Sequence, residues 1–219
     1  MASREKSVPI DEEILERLNR GILQRTGVYR TNVHIVLRSG RHTSDYVAKA
    51  LVTTEPAFTE GLGDIIATHY GRYQVDLVLT TGYGAGLLGH CVARTHPSRP
   101  RFIFATKGKT GGGRTEVTLQ PEYRAFFAEG GRVLIVEDIL TTGETVKQLI
   151  KLVDSMGGQV VGVGAIWRRS SRVKFKYPLF TVVTRDFPTY APTECPMCRQ
   201  DIPMTEDVEQ GGLEGDPED

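Results

Sequence analysis

Cysteine is scarce, with Cys91, Cys195 and Cys198 the three in a chain of 219 residues. Three thiols cannot build a disulfide framework, and such a count agrees with a reducing compartment. Long apolar runs are missing, so no segment reads as a membrane span. Residues 1–13, MASREKSVPIDEE, are too polar for a signal peptide, and a cytoplasmic location is expected. Charge of one sign is not in excess either: 27 Lys and Arg face 27 Asp and Glu. The total therefore favours neither nucleic acid nor an anionic membrane, and any anion site must be local. There is no internal repeat. The length suits one sizeable core with small appendages.

What is present centres on residues 133–145, VLIVEDILTTGET. Four aliphatic residues read as a buried parallel strand, and residues 146–156 carry the apolar spacing of an amphipathic helix. Between them lie Glu137 and Asp138, Ile139 and Leu140, then Thr141, Thr142, Gly143, Glu144 and Thr145. In an open parallel sheet, ligands bind beyond the carboxyl ends of the strands. Two adjacent carboxylates repel each other and cost desolvation, so they suit a ligand such as a sugar diol. Hydroxyls, backbone amides and a helix N-terminus just beyond them suit a phosphate. Together these describe a ribose 5-phosphate site. The competing reading is a solvated strand end followed by an ordinary helix cap.

Elsewhere the chain alternates strands and helices. Residues 11–25 have helical spacing. Two β-type runs at 33–37 and 46–52 flank a Ser39-Gly40 turn that exposes Arg38 and Arg41. Residues 56–70 predict a helix and 75–80 a strand. The glycine loop Thr80-Thr81-Gly82-Tyr83-Gly84-Ala85-Gly86 follows, with a helix over 87–94. Its glycines let backbone amides approach a phosphate. Residues 102–105 predict a third strand. The segment from Thr106 onward then carries Lys107, Lys109, three consecutive glycines and Arg114, a composition that suits a moving cationic lid or a solvated hairpin tip. Gly157 and Gly158 close the helix at 146–156. Strands are expected at 160–167, ending in Arg168 and Arg169, and at 179–184. Cys195 and Cys198 supply two ligands where a structural zinc site needs four, with no histidine near them in sequence. Residues 205–219 are acidic and read as a disordered tail.

The central pattern resembles the PRPP-binding motif of type I phosphoribosyltransferases. The stretch LRSGRHTSDY from Leu37, the lid and the segment ending in Cys195-Pro-Met-Cys198 are similar to orotate phosphoribosyltransferases of a bacterial and archaeal branch. The resemblance implies an α/β Rossmann-like parallel sheet with a small hood (residues 11–55 and 178–204), a core (56–177), a lid (106–127) and the tail. It implies Glu137, Asp138 and Lys107 as catalytic. PRPP would be held by residues 137–145, namely Glu137, Asp138, Ile139, Leu140, Thr141, Thr142, Gly143, Glu144 and Thr145. Lys107, Lys109, Arg38 and the pyrophosphate loop of Thr81, Gly82, Tyr83 and Gly84 complete that set. Orotate would be met by Thr141, Arg169 and Arg38. Mg²⁺ would be carried mainly by PRPP oxygens and water, with no protein residue assigned as a metal ligand.

The same resemblance implies a homodimer with the lid shared in trans. Three positions depart from the pattern: Arg38 stands for Lys, Arg168 for Asp, and the lid lacks its His. The reaction expected is orotate plus PRPP to orotidine 5-phosphate and pyrophosphate. The alternatives are transfer to another nucleobase, a PRPP-sensing regulator without catalysis, and a structural module that binds partners through its Cys pair and tail.

Overall fold

The computed structural model describes residues 21, 27–37, 40–109, 115–127 and 130–205. The expected helix at 11–25 lies outside these apart from Gly21, and so do Arg38, the lid tip at 110–114 and nearly all of the acidic tail.

The apolar runs build a six-stranded sheet. Its strands are β3 (Leu77–Thr81), β4 (Arg101–Lys109), β5 (Thr115–Thr118), β6 (Arg132–Leu140), β7 (Gln159–Arg168) and β8 (Leu179–Thr184). They lie in the order β5-β4-β3-β6-β7-β8, all parallel except β5, which returns antiparallel along the end of β4. A smaller antiparallel sheet, the hood, joins β1 (Tyr29–Val36), β2 (His42–Val47) and β9 (Thr189–Tyr190) in the order β1-β2-β9.

Helices cover both faces, as a parallel sheet requires. On one face lie α2 (Pro56–His69) and α3 (Tyr83–Thr95), which bury Leu62, Ile66, Leu88 and Val92 against Val78, Leu134 and Val136. On the other, α4 (Glu144–Ser155) buries Val146, Leu149 and Val153 against Leu79, Val133 and Ile135. Successive residues of β6 thus serve opposite layers, the period-two alternation of a strand. Each such fully buried aliphatic side chain contributes about 1.5–3 kcal/mol. Two short α-helices, α1 (Lys49–Thr53) and α5 (Pro196–Arg199), and two 3-10 helices, Pro121–Phe126 and Pro192–Glu194, complete the described chain. The expected C-terminal stop of α4 is present: Gly157 has φ +78°, and the amide of Gly158 donates to the Val153 carbonyl.

Three expectations change. The hairpin after residue 33 forms, but its second strand is His42–Val47, and the stretch expected to continue it turns into α1. Lys49, Ala50 and Leu51 are strong helix formers, and that local preference ends the strand. The glycine loop is shorter than predicted, because α3 begins at Tyr83 and takes in Gly84, Ala85 and Gly86. These glycines serve close packing: a Cβ on Gly86 would lie 2.9 Å from the Phe104 ring. Finally, β8 belongs to the main sheet, so the C-terminal part of the hood begins beyond Thr184.

Candidate active site

Sheet order locates the site. From β3 the chain crosses outward to β4, then returns to place β6 on the other side of β3. The carboxyl ends of β3 and β6 therefore flank a topological switch point, the usual ligand crevice of an open α/β sheet.

Glu137 and Asp138 occupy that end of β6, both largely buried at 8% and 7% exposure. Adjacent in sequence, the two side chains also interact with each other at the strand end. Glu137 lines a cavity of about 450 Å³ in front of α4, together with Ile139, Leu140 and Thr141 to Thr145. Asp138 lies against the first turn of α3, where a Cβ on Gly84 would come within 2.5 Å of Asp138 Oδ2. Asp138 Oδ1 accepts from the Ile139 amide at 2.6 Å, and Lys49 Nζ lies 3.5 Å from Oδ2. Lys49 carries no motif and escapes a sequence reading.

Burial pushes the Glu137 carboxyl well above the usual carboxylate range, and the Asp138 charge pushes it further. The amide of Asp138, donating to Glu137 Oε1 at 3.0 Å, and the charge of Lys107 oppose this. Of the two, Glu137 is therefore the carboxyl whose surroundings favour the protonated form. A neutral acid beside a carboxylate can donate to one hydroxyl of a diol while accepting from the other.

The loop after β6 is shaped by Gly143, whose φ of +75° is left-handed. A Cβ there would also meet Phe175 at 2.9 Å and Val173 at 3.0 Å. This turn aims the N-terminus of α4 into the cavity, with Thr141, Thr142 and Thr145 around it. The Thr142 hydroxyl caps the Glu144 amide at 3.4 Å. On the other side of the switch point, Gly82 at φ +83° starts α3 at the end of β3. Tyr83 there is 63% exposed, and the Thr81 hydroxyl is buried with no hydrogen-bond partner among the described residues. Two helix N-termini thus converge on one crevice, an arrangement that suits two anionic groups.

The remaining expected residues divide. Lys107 sits on β4 opposite Val117, and its charge acts on Glu137 of its own chain. The backbone of Lys109 ends β4. Arg169 is held beside the turn after β6 by its amide, which donates to the Leu140 carbonyl at 2.9 Å. Its guanidinium stacks over Phe187 at 4.6 Å under the hood, facing Asp45 and Tyr46. Burial pushes Arg169 below its usual value. Asp45 also accepts from the Tyr29 hydroxyl, whose pKa is pushed up to about 12 by burial and then by that bond. Arg168 turns away from the crevice and donates to the carbonyls of Ser170, Ser171 and Val173. It braces the 170–173 loop. The Cys195 and Cys198 pair meets His34 and His42, a grouping that sequence spacing does not suggest.

The description "Phosphoribosyl transferase domain" matches residues 52–191 of the chain. Among similar curated proteins, the orotate phosphoribosyltransferase of Caldanaerobacter subterraneus subsp. tengcongensis is 34% identical over 203 residues, covering 92% of this chain and 95% of that protein. The orotate phosphoribosyltransferase of Thermotoga maritima is 33% identical over 192 residues, covering 87% and 97%. Among solved structures, Mycobacterium tuberculosis orotate phosphoribosyltransferase in complex with inorganic phosphate superposes with a TM-score of 0.56 at 21% identity, covering 78% of this chain and 94% of that one. Adenine phosphoribosyl transferase from Trypanosoma brucei superposes with a TM-score of 0.59 at 17% identity, covering 81% and 82%. At such identities the two superpositions speak for the fold alone. The matched residues contain the crevice, the acidic pair and the Thr141–Thr145 turn, and the chain belongs to the phosphoribosyltransferase family.

Proposed function

We propose that this chain is an orotate phosphoribosyltransferase, moving ribose 5-phosphate from PRPP to orotate and releasing pyrophosphate. The carrying observation is the buried Glu137 and Asp138 pair at the switch point, with the Thr141–Gly143 turn beside it. The names of the relatives that share more than four-fifths of the chain supply the acceptor base.

In this reading the 5-phosphate takes the α4 N-terminus and the Thr141, Thr142 and Thr145 hydroxyls. The ribose diol takes the acidic pair. Breaking the bond to pyrophosphate builds positive charge in the sugar ring, which the Asp138 anion stabilises in a site shielded from water. The departing pyrophosphate meets Thr81, Gly82, Tyr83 and Gly84 at the start of α3, with Lys107, Lys109 and Arg38 supplying positive charge from the lid and hood. Orotate lies between Thr141 and the hood, where Arg169 and Arg38 supply cationic donors to its carboxylate. The crevice offers carboxylates, hydroxyls and backbone groups, an oxygen-rich donor set that suits Mg²⁺. Magnesium arriving with PRPP would neutralise charge on the pyrophosphate, held mainly by PRPP oxygens and water. The enzyme would work in the cytoplasm, as a homodimer whose lids are shared between subunits.

The test is pyrophosphate release from PRPP and Mg²⁺ with orotate, uracil, adenine or hypoxanthine as acceptor. Release with orotate alone is expected. Release with adenine or hypoxanthine would reassign the base, and release with none would remove the catalytic reading.

A further inference from the structure

His34, His42, Cys195 and Cys198 bring four ligand atoms within 4.8 Å of one another, although the first and last are separated by most of the chain. His34 stands on β1 and His42 on β2. Val36 is the cross-strand partner of His42, and His34, two residues from Val36, shares its face. Cys195 caps α5 at its N-terminus and Cys198 lies within it, so one short turn presents both thiols to the hairpin.

Four of the six separations among these atoms are near the edge lengths of a tetrahedral site. His34 Nε2 and His42 Nδ1 are 2.9 Å apart. Cys195 Sγ and Cys198 Sγ lie 3.6 and 3.5 Å from His34 Nε2, and Cys198 Sγ lies 3.3 Å from His42 Nδ1. Four ligands around zinc at ordinary bond lengths put two nitrogens about 3.3 Å apart and nitrogen and sulfur about 3.6 Å apart. The second shell also fits. His34 Nδ1 lies 2.7 Å from the Ile202 carbonyl, which fixes the proton on Nδ1 and leaves the Nε2 lone pair facing the cluster. Three of the four residues are buried, with His34 at 2%, His42 at 5% and Cys195 at 0% exposure.

The hood has reason to need such a staple. Among the described residues, its own apolar cluster amounts to Val33 and Ile35 with Tyr46 packed against them. Small units with little core commonly rely on a metal or a disulfide. The C-terminal segment returns to the same strand, with His34 and Thr205 exchanging two hydrogen bonds at 3.1 and 2.8 Å.

We propose that His34, His42, Cys195 and Cys198 bind one structural zinc ion that clamps the C-terminal segment onto the β1–β2 hairpin. Two thiolates and two imidazoles close the coordination sphere, with no position left for a substrate, which is the signature of a structural site. The clamp fixes β2, whose Asp45 and Tyr46 face Arg169. This inference is independent of the base and of the reaction.

The test uses the full chain, untagged and purified under reducing conditions. Elemental analysis should find about one zinc per chain, in keeping with a single four-ligand site. Cys198→Ser and His42→Ala should lose it, while Cys91→Ser, a thiol on α3 outside the cluster, should keep it. Because the variants could fail to fold, the unaltered protein is also stripped with a chelator and titrated with cobalt(II). Tetrahedral d–d bands together with thiolate charge transfer are expected, reversed by added zinc, and the melting temperature should fall on stripping. The proposal is overturned if the folded, reduced protein carries iron or no metal, if cobalt(II) gives no tetrahedral spectrum, or if folded Cys198→Ser retains full zinc.

Discussion

Gly84 and Asp138 touch so closely that no side chain fits between them: a Cβ on the glycine would stand 2.5 Å from Asp138 Oδ2 and 3.4 Å from Cγ. The carboxylate cannot swing aside freely, because its other oxygen is engaged by the Ile139 amide at 2.6 Å. The first turn of α3 therefore sets where the Asp138 carboxyl group stands.

Gly84→Ala tests that relationship. Alanine favours the helix by about 1 kcal/mol, so the fold should survive. Displacing Asp138 should nevertheless lower kcat/KM on the order of 100-fold, as misplacement of a reacting group by about 1 Å does. Unchanged kinetics with orotate and PRPP would show that the contact does not position Asp138.

Asp138→Asn removes the anion and keeps the shape. Turnover should be abolished while the circular dichroism spectrum is unchanged. Full activity would take the ribose role away from this residue.

Glu137 gives a pH signature. Its carboxyl is raised in the folded state, chiefly by burial and then by Asp138, so the fold keeps this proton to higher pH than the unfolded chain does. That contribution to stability is complete below the ordinary glutamate pKa and is lost as pH rises toward the folded value. The loss runs at up to about 1.4 kcal/mol per pH unit. Glu137→Gln cannot ionise. Across this window its melting temperature should gain on that of the unaltered protein as pH increases, and parallel pH profiles would argue that Glu137 is ionised in the fold.

Lys107→Ala should reduce kcat much more than it weakens PRPP binding, since a charge that meets the leaving group acts mainly in the transition state. Whether it acts within one chain or across a dimer is a separate measurement. Lys107 influences Glu137 of its own chain, yet a lid shared in trans predicts that mixing Lys107→Ala and Arg169→Ala chains restores part of the activity. No recovery in mixed dimers would assign the lysine to its own active site.

Legibility in the sequence followed contiguity. The run from Val133 to Thr145 could be read as strand, acids, phosphate loop and helix, because each part depends on neighbours within a few residues and all of it lies in one stretch. The strand at Leu179–Thr184 was equally plain. Arg168 was visible as a departure from an acidic position, but its role in bracing the 170–173 loop depends on carbonyls whose directions only the folded turn defines.

The amino-acid order by itself determined the parallel sheet, the acidic pair beside a Thr-and-Gly turn and hence the family, since apolar runs, turn residues and caps act through local backbone preference and burial. Tertiary structure alone decided that Gly84 is a helical contact to Asp138 instead of a loop residue, that burial raises the Glu137 carboxyl, and that His34 and His42 meet Cys195 and Cys198. Each of these depends on distances between segments remote in the chain, and such distances exist only once the sheet has stacked its strands out of sequence order.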